Sequence, residues 1–285
     1  MDVTNLSGKT VLVTGAGSGI GKATALAFAR RGANLAVCDV DESGLAETAG
    51  EIRALGREVL AQRVDVANRD QMRDFAGAVH ARIDAVDILM NNAGVGLTAG
   101  FLDTTLEDWD WITAINLRGV VHGCHFFVPA MVARGRGGHV VNVASSASFV
   151  GTELLAAYST TKFAVLGLTE AMRDELGRHR IGVTAVCPGI INTAIARTSR
   201  MRGLYAAPAA QQRMVEMFAR RNYTPERVAE NILKAVQRGR VVAPIAAEAW
   251  LMYYLKRFAP SLLAWLNRKT GERMRRDVEK AVAGS

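Results

Sequence analysis

Residues 10–21 read TVLVTGAGSGIG, and residues 22–31 continue as KATALAFARR. The apolar run before Gly15 predicts a buried strand, and the alanine-rich run after Gly21 predicts a helix. Glycine allows positive φ and a close approach of the backbone to a ligand, and the helix N-terminus behind the turn offers free N–H groups. This stretch therefore predicts a site for the diphosphate of a dinucleotide. A glycine turn that only joins a strand to a helix is the alternative.

Apolar runs that resemble strands alternate with helical stretches along the chain. Together with the first run, they cover residues 11–14, 35–39, 59–66, 88–91, 139–144, 183–187 and 241–245. Continuous apolar strands separated by helices predict a parallel sheet with helices on both faces. The chain has 285 residues and 49% apolar content, and no linker or repeat interrupts residues 1–245. We therefore expect one α/β domain over 1–245, with 246–285 as a helical extension of the same domain.

Ser145, Tyr158 and Lys162 form the pattern that points to chemistry. Lys162 follows Tyr158 by four residues, and positions i and i+4 share one face of a helix. An ammonium beside a phenol, whose ordinary pKa is about 10, favours the phenolate. The spacing makes Tyr158 a candidate acid/base, although a Tyr-x-x-x-Lys pair taken alone is usually a solvated surface pair.

Several motifs stand in a fixed order along the chain. They are T-G-x-x-x-G-x-G at 14–21, Asn91-Asn92-Ala93-Gly94, Asn116, Ser145, Tyr158 with Lys162, and Pro188-Gly189 with Thr193. On these residues the chain resembles the short-chain dehydrogenase/reductase family, over about residues 7–245. The resemblance implies a single-domain Rossmann fold, with a doubly wound, seven-stranded parallel sheet and the cofactor at the carboxyl ends of the strands.

The resemblance also implies a catalytic role for each of four residues. Tyr158 would exchange the hydroxyl proton of an alcohol, and Ser145 would hydrogen-bond the substrate oxygen. Lys162 would lower the pKa of the phenol and hold the nicotinamide ribose. Asn116 would support a water-linked proton path to Lys162. Ser146 is a rival to Ser145, but it breaks the thirteen-residue spacing to Tyr158.

The second strand ends at Asp39, eighteen residues beyond Gly21, where a dinucleotide-binding unit needs an acid for the adenosine ribose. A carboxylate accepts both ribose hydroxyls but repels a 2′-phosphate, so we expect NAD rather than NADP; a strand-end cap is the alternative role. Ser18 and Val40 stand where NADP-preferring relatives tend to carry Arg or Lys. The cofactor-binding residues that the resemblance implies are Gly15, Gly17, Ser18, Gly19, Ile20, Gly21, Asp39, Asp65, Val66, Asn92, Ala93, Gly94, Tyr158, Lys162, Pro188, Gly189, Ile191 and Thr193.

Composition narrows the remaining classes of function. Cys38, Cys124 and Cys187 lack C-x-x-C spacing and the histidines lack paired spacing, so we expect buried thiols and no metal site. Residues 1–7 contain no apolar segment typical of a signal peptide, and no apolar run approaches the ~20 residues that span a bilayer. These patterns predict a cytoplasmic protein that is at most peripheral to a membrane.

The predictions about the substrate depend on two segments of the chain. By the resemblance, residues 194–223 form a substrate lid, whose methionines favour an adaptable apolar pocket; ordinary helix packing is the alternative. Residues 246–285 combine aromatic and basic side chains, which favour contact with a membrane surface. Packing over the pocket, or across a subunit interface, is the interpretation that we prefer, and membrane contact is the alternative. Each of these roles favours a lipophilic substrate of the steroid, retinoid or long-chain type.

The net charge of +8 is uneven, with −5 over residues 1–177 and +13 over 178–285. This asymmetry indicates an anionic partner, although a solvated surface is an equal alternative. The leading hypothesis is an NAD-dependent dehydrogenase of a lipophilic alcohol. An NADPH-dependent ketone or acyl-thioester reductase and a non-catalytic dinucleotide sensor are the alternatives, and no nucleic-acid partner is expected. By the resemblance, the helices bearing Asn116 and Tyr158 would pair in a homodimer or homotetramer.

Overall fold

The computed structural model describes residues 1–191, 195–221 and 223–283. Its strands are β1 Thr10–Thr14, β2 Asn34–Asp39, β3 Val59–Arg63, β4 Ile88–Asn91, β5 Leu97–Thr98, β6 Gly138–Val143, β7 Ile181–Pro188, β8 Arg200–Met201 and β9 Val242–Ile245. Its α-helices are α1 Gly19–Arg30, α2 Glu42–Ala54, α3 Arg69–His80, α4 Leu106–Thr113, α5 Gly119–Arg134, α6 Ala156–Gly177, α7 Ile195–Thr198, α8 Pro208–Arg221, α9 Pro225–Gln237, α10 Ala247–Phe258 and α11 Pro260–Ala283.

Within the described residues, seven parallel strands form one sheet in the order β3-β2-β1-β4-β6-β7-β9. The chain crosses from β3 back to β4 beside β1, so the order reverses between β1 and β4. A crevice for a ligand forms at such a switch point, outside the carboxyl ends of the strands. Each of the seven predicted strands is present, which confirms the predicted fold, but β3 ends at Arg63 rather than at residue 66.

Two apolar layers cover the two faces of the sheet. On one face, Phe28 of α1 packs with Val228 and Ile232 of α9. On the other, Phe75 of α3 packs with Phe127 of α5. Strands buried on both faces need apolar residues at every position, and this explains why the strands could be recognised as continuous runs.

Helices α3 and α9, which cover the sheet, begin at residues that commonly cap helix N-termini. The side chain of Asn68 accepts hydrogen bonds from the backbone N–H groups of Asp70 and Gln71 at the start of α3. Thr224 caps α9, where Pro225 occupies the first turn. Capping satisfies N–H groups that the helix itself leaves unpaired. These helices therefore begin at points that local sequence specifies.

The C-terminal extension forms two helices that pack on the domain. Pro260 starts α11 directly after α10, because proline cannot continue a preceding helix. The far half of α11 joins a small apolar cluster in which Val278 and Tyr205 are buried. An ion pair of 3.4 Å links Arg275 to Glu153. Among the described residues, no helix combines the length and the apolarity that crossing a membrane requires.

Candidate active site

The glycine turn lies at the carboxyl end of β1 and leads into α1. Gly15 and Gly19 have φ angles of 67° and 53°, a region that favours glycine. A Cβ on Gly15 would lie 2.7 Å from the Cα atom of Ala93, and a Cβ on Gly21 would collide with the carbonyl oxygen of Gly15. Among the described residues, Ser18 makes no side-chain cap to α1, so the first-turn N–H groups remain available to an anion.

A hydrogen-bond cluster locks this turn to the segment that follows β4. The Thr14 hydroxyl accepts from the backbone N–H groups of Asn92 and Ala93, at 3.0 and 3.1 Å. The side-chain amide of Asn92 donates to the carbonyl oxygens of Thr14 and Gly15 at 2.9 and 3.0 Å. Asn92 therefore acts through its amide to position the turn, and Thr14 is a site residue that the motif contains but that we did not single out.

Asp39 stands beside the turn at the end of β2. One carboxylate oxygen accepts from the backbone N–H of Gly17 at 2.7 Å, and the other accepts from the N–H of Asp41 at 3.0 Å. The side chain is only partly buried and lines the cleft. This geometry combines the two predicted roles, because the carboxylate braces the loop and also presents negative charge to the cleft.

A cleft of about 1440 Å³ runs from the glycine turn to the C-terminal helices. Of the residues predicted to bind a cofactor, the cleft is lined by Gly15, Ser18, Gly19, Ile20, Asp39, Asp65, Val66, Asn92, Ala93, Gly94, Tyr158, Lys162, Pro188, Gly189 and Ile191. Gly17 and Gly21 do not line it; Gly17 lies against Asp39, and Gly21 against Gly15. Thr193 lies outside the described residues. The glycine cradle, the open N-terminus of α1 and Asp39 together fit a dinucleotide.

The proposed catalytic hydroxyls meet at one wall of the cleft. Ser145 follows β6, and Tyr158 lies in the first turn of α6. Both side chains line the cleft, and the interaction with Ser145 acts to lower the pKa of Tyr158. The Ser145 hydroxyl also accepts from the N–H of Ala147 at 3.1 Å, and the Ser148 hydroxyl donates to the carbonyl oxygen of Lys162 at 2.8 Å. These bonds join the loop after β6 to α6 and favour Ser145 over its neighbour as the partner of Tyr158.

Burial controls the ionisation of the Tyr158 and Lys162 pair. The Lys162 ammonium lies 5.7 Å from the centroid of the Tyr158 ring, and its Nζ atom donates to the carbonyl oxygen of Val143 at 3.0 Å. Loss of hydration lowers the pKa of Lys162 to about 8. Burial also raises the pKa of Tyr158, against the hydrogen bond with Ser145, which lowers it. We expected the lysine to lower the phenol pKa, but the net direction is upward because the penalty for burying a phenolate is the larger effect.

Asn116 is fully buried in a short π-helical segment, Ala114–Arg118, between α4 and α5. Its amide exchanges hydrogen bonds of 2.8 and 2.9 Å with the backbone of Val95, and it donates to the Thr161 hydroxyl at 3.3 Å. A Cβ on Gly94 would lie 3.2 Å from the side-chain Oδ1 atom of Asn116 and 3.4 Å from the Nζ atom of Lys162. The two side chains therefore flank Gly94, and the water-linked proton path between them stays a prediction.

An ion pair with a buried carboxylate ties the segment predicted as the lid to the domain. Asp108 of α4 is 1% exposed and accepts two hydrogen bonds of 2.8 Å from the Arg202 guanidinium. Arg200 lies 3.5 Å from the same carboxylate and stacks on the ring of Trp111 at 3.7 Å. β8 pairs with β5 beside this cluster. No local pattern predicts a pair of residues so far apart in the sequence.

The C-terminal extension closes the far end of the cleft. Leu263, Asn267, Gly271 and Met274 line it from one side of α11. The Asn267 amide donates to the carbonyl oxygen of Gly151 at 2.8 Å. Helix α11 therefore packs against the cleft, as expected if residues 246–285 cover the pocket, and the role of this extension stays a prediction.

Comparison with known proteins establishes the family. Residues 9–202 match the short chain dehydrogenase family model, which is more than half of the chain. The chain belongs to the short-chain dehydrogenase family. The ordered motifs and the fold of this short-chain dehydrogenase agree with that match.

Named relatives and a solved structure show how far the similarity extends. The "Probable oxidoreductase EphD" of Mycobacterium tuberculosis is 41% identical over 261 residues, covering 89% of this chain but 43% of that protein. The short-chain dehydrogenase thus spans less than half the length of that relative. The "Putative oxidoreductase SadH" of the same species is 39% identical over 253 residues, covering 87% and 90%. A short-chain dehydrogenase from Burkholderia phymatum, solved in complex with NAD, is 30% identical at a TM-score of 0.83, covering 92% and 96%.

Proposed function

We propose that the protein is an NAD-dependent oxidoreductase that interconverts an alcohol and a carbonyl on a lipophilic substrate. One observation carries the proposal: Ser145, Tyr158 and Lys162 converge on one wall of a cleft whose other end holds the glycine turn and Asp39. The position of Asp39 supports NAD over NADP, since its carboxylate would repel a 2′-phosphate. The similar structure from Burkholderia phymatum contains NAD.

In the proposed reaction, the chain itself handles the proton and the developing charge. When bound, the nicotinamide ring supplies the hydride acceptor. The Ser145 hydroxyl holds the substrate oxygen, and the phenolic oxygen of Tyr158 takes the hydroxyl proton of the alcohol. Because burial raises the pKa of Tyr158, its ionisation requires nearby positive charge. The Lys162 ammonium, with a pKa of about 8, supplies such a charge at neutral pH.

The lining of the substrate side supports an apolar ligand. Met201 and Met214 of the lid, Met252 of α10, and Leu263 and Met274 of α11 surround this part of the cleft. Methionine adapts to irregular apolar shapes, so such a wall suits a bulky or extended hydrocarbon. The proposed substrates are therefore steroids, retinoids or long-chain alcohols and the matching ketones.

An NADPH-dependent ketone or acyl-thioester reductase is the second candidate. The basic C-terminal part of the chain, with +13 over residues 178–285, would favour a phosphorylated carrier. Asp39 argues against this candidate, because an acid stands at the predicted ribose site, where binding of the 2′-phosphate of NADPH would need a cation. A non-catalytic dinucleotide sensor fits less well, because Ser145, Tyr158 and Lys162 line the cleft together.

We also propose a homodimer or homotetramer in the cytoplasm. The helices expected to pair across a two-fold axis expose Val121 and Phe163, at 42% and 37%. Burying such side chains between subunits would stabilise the pair. The cysteines are buried and free within the described chain, which fits a reducing compartment.

The decisive experiment follows reduction of NAD and of NADP with secondary alcohols, steroids and retinoids of graded size. We expect turnover with NAD that increases with substrate apolarity. Tyr158→Phe should lower kcat by about a hundredfold or more, with the Kd for NADH unchanged in a fluorescence titration. Equal activity in Tyr158→Phe would remove the proposed mechanism, and a preference for NADP would favour the second candidate.

A further inference from the structure

Helices α10 and α11 expose large apolar side chains on their outer faces. The set consists of Leu251, Tyr254, Phe258, Leu262, Trp265 and Leu266, which we call the tail face. Phe258 is 80% exposed and Trp265 is 50% exposed. The rings of Trp250, Tyr254 and Phe258 stack in sequence along α10, at 5.6 and 6.3 Å. An exposed patch of this kind marks a binding surface.

Cations flank the tail face and acids are missing from its sequence. Lys256 and Arg257 close α10, and Arg268 and Lys269 follow Leu266. All four are exposed, and Lys256 and Arg268 also line the cleft, so Arg257 and Lys269 are the cations that lie away from it. Residues 249–271 contain no Asp or Glu. Glu248 and Glu272 border this stretch in the sequence, and Glu272 lies 3.3 Å from Lys269. The surface therefore combines aromatic and aliphatic side chains with an excess of positive charge.

We propose that the tail face binds the surface of an anionic lipid bilayer. Trp and Tyr settle at the boundary between headgroups and acyl chains, and adjacent Lys and Arg are attracted by anionic lipids. A second copy of the chain is a weaker occupant, because two tail faces in contact would bring their cations together. The helices would lie in the interface without crossing it.

The tail face also lies on the helix that borders the far end of the cleft. Pro260, Leu263, Ala264 and Asn267 line the cleft from α11, while Leu262, Trp265 and Leu266 of the same helix are exposed. Only the width of one helix, about 10 Å, separates lipid contact from the substrate side. Resting on the proposed function, this arrangement would let a lipophilic alcohol pass from the bilayer into the cleft.

The test is flotation of the full-length protein with vesicles. Phosphatidylcholine alone is compared with an equal mixture of phosphatidylcholine and phosphatidylglycerol. We expect binding to the anionic vesicles that weakens as salt is added. Phe258→Gln combined with Trp265→Gln should lower the partition coefficient at least about tenfold. Both side chains are exposed, so this tail-face variant should fold, which circular dichroism would check.

A matched control uses two strongly exposed apolar side chains elsewhere on the surface. Leu102 and Leu106 are 94% and 78% exposed, but the exposed acids Asp103 and Glu107 adjoin them. Leu102→Gln combined with Leu106→Gln should leave flotation unchanged, because an anionic surface repels this patch.

Either of two results would overturn the proposal. One is that the wild-type protein does not float with anionic vesicles. The other is an equal loss of flotation in the tail-face variant and the control. A lower oligomeric mass in the tail-face variant, without vesicle binding by the wild type, would assign the tail face to a second copy instead. Flotation does not depend on turnover, so membrane binding can be judged even if the dehydrogenase assay shows no activity.

Discussion

The Nζ atom of Lys162 donates a hydrogen bond of 3.0 Å to the carbonyl oxygen of Val143, which joins α6 to the carboxyl end of β6. A buried ammonium has lost most of its hydration, and the carbonyl oxygen replaces part of it. The contact holds the ammonium at the cleft wall, 5.7 Å from the ring centroid of Tyr158. A strand end therefore fixes the position of the charge that the proposed base requires.

Lys162 should make stability depend on alkaline pH. Its pKa falls from 10.5 to about 8 on folding, so between these values the unfolded chain binds more protons than the folded one. Stability contributed by this group is therefore absent below pH 8 and is gained as pH rises towards 10.5, by up to about 1 kcal/mol per unit. Urea unfolding across this range should show the slope in the wild type and a smaller slope in Lys162→Met. Equal slopes would contradict the assigned pKa.

Asp39 should determine the choice of dinucleotide. Asp39→Ser removes the negative charge at the ribose position and keeps a side chain that can accept the hydrogen bond from Gly17. The ratio of kcat/KM for NADP to that for NAD should rise about tenfold or more. Glu42→Ser is the control, because its exposed side chain also carries a negative charge at the start of α2 but does not line the cleft. An unchanged ratio in Asp39→Ser would show that the carboxylate only braces the loop.

Two glycine substitutions should change stability in opposite directions. Gly15→Ala places a Cβ 2.7 Å from the backbone of Ala93 at a φ of 67°, so we expect a loss of about 1–3 kcal/mol. Gly50→Ala lies inside α2 with nothing within 4 Å of the new Cβ, and should gain about 0.5–1 kcal/mol. Thermal unfolding compares the two variants. A neutral Gly15→Ala would mean that the turn adjusts easily.

Asp108 should hold the lid through its bonds to Arg202 and Arg200. Asp108→Asn leaves the buried site without its charge, and we expect a loss of about 1–3 kcal/mol with faster proteolysis of the lid. KM for the alcohol should rise, while the Kd for NADH stays constant. The exposed Asp110→Asn on the same helix should change stability by less than about 0.5 kcal/mol. A parallel rise in both constants would indicate a general loss of structure.

The sheet and the catalytic wall were predictable for separate physical reasons. Strands buried on both faces require continuous apolar runs, so β1, β4 and β6 could be predicted from short apolar segments of the sequence. Helix periodicity alone placed Lys162 one turn beyond Tyr158. Strand-end position placed Asp39 beside the glycine turn. Each of these features depends on neighbours within a few residues or on a motif of fixed spacing.

Other features depend on segments that lie far apart in the sequence. The pKa of Tyr158 rises because several elements bury its side chain together. The four-residue spacing between Tyr158 and Lys162 gives no information about that burial. Gly17 and Gly21 pack within the turn, and only the three-dimensional structure shows which atoms a Cβ at these positions would meet. Their contact with a cofactor stays a prediction.

The sequence by itself determined the strands and the glycine turn, because local periodicity and residue chemistry specify them. The residues proposed for proton transfer were predicted from the resemblance of the ordered motifs. Only the tertiary structure decided that Asp108 binds Arg202 and that α11 closes the cleft. The type of an apolar or charged side chain shows that it needs a partner, but it does not specify which residue that partner is. That choice is made by the packing of the whole chain, where burial and the surrounding charges act together.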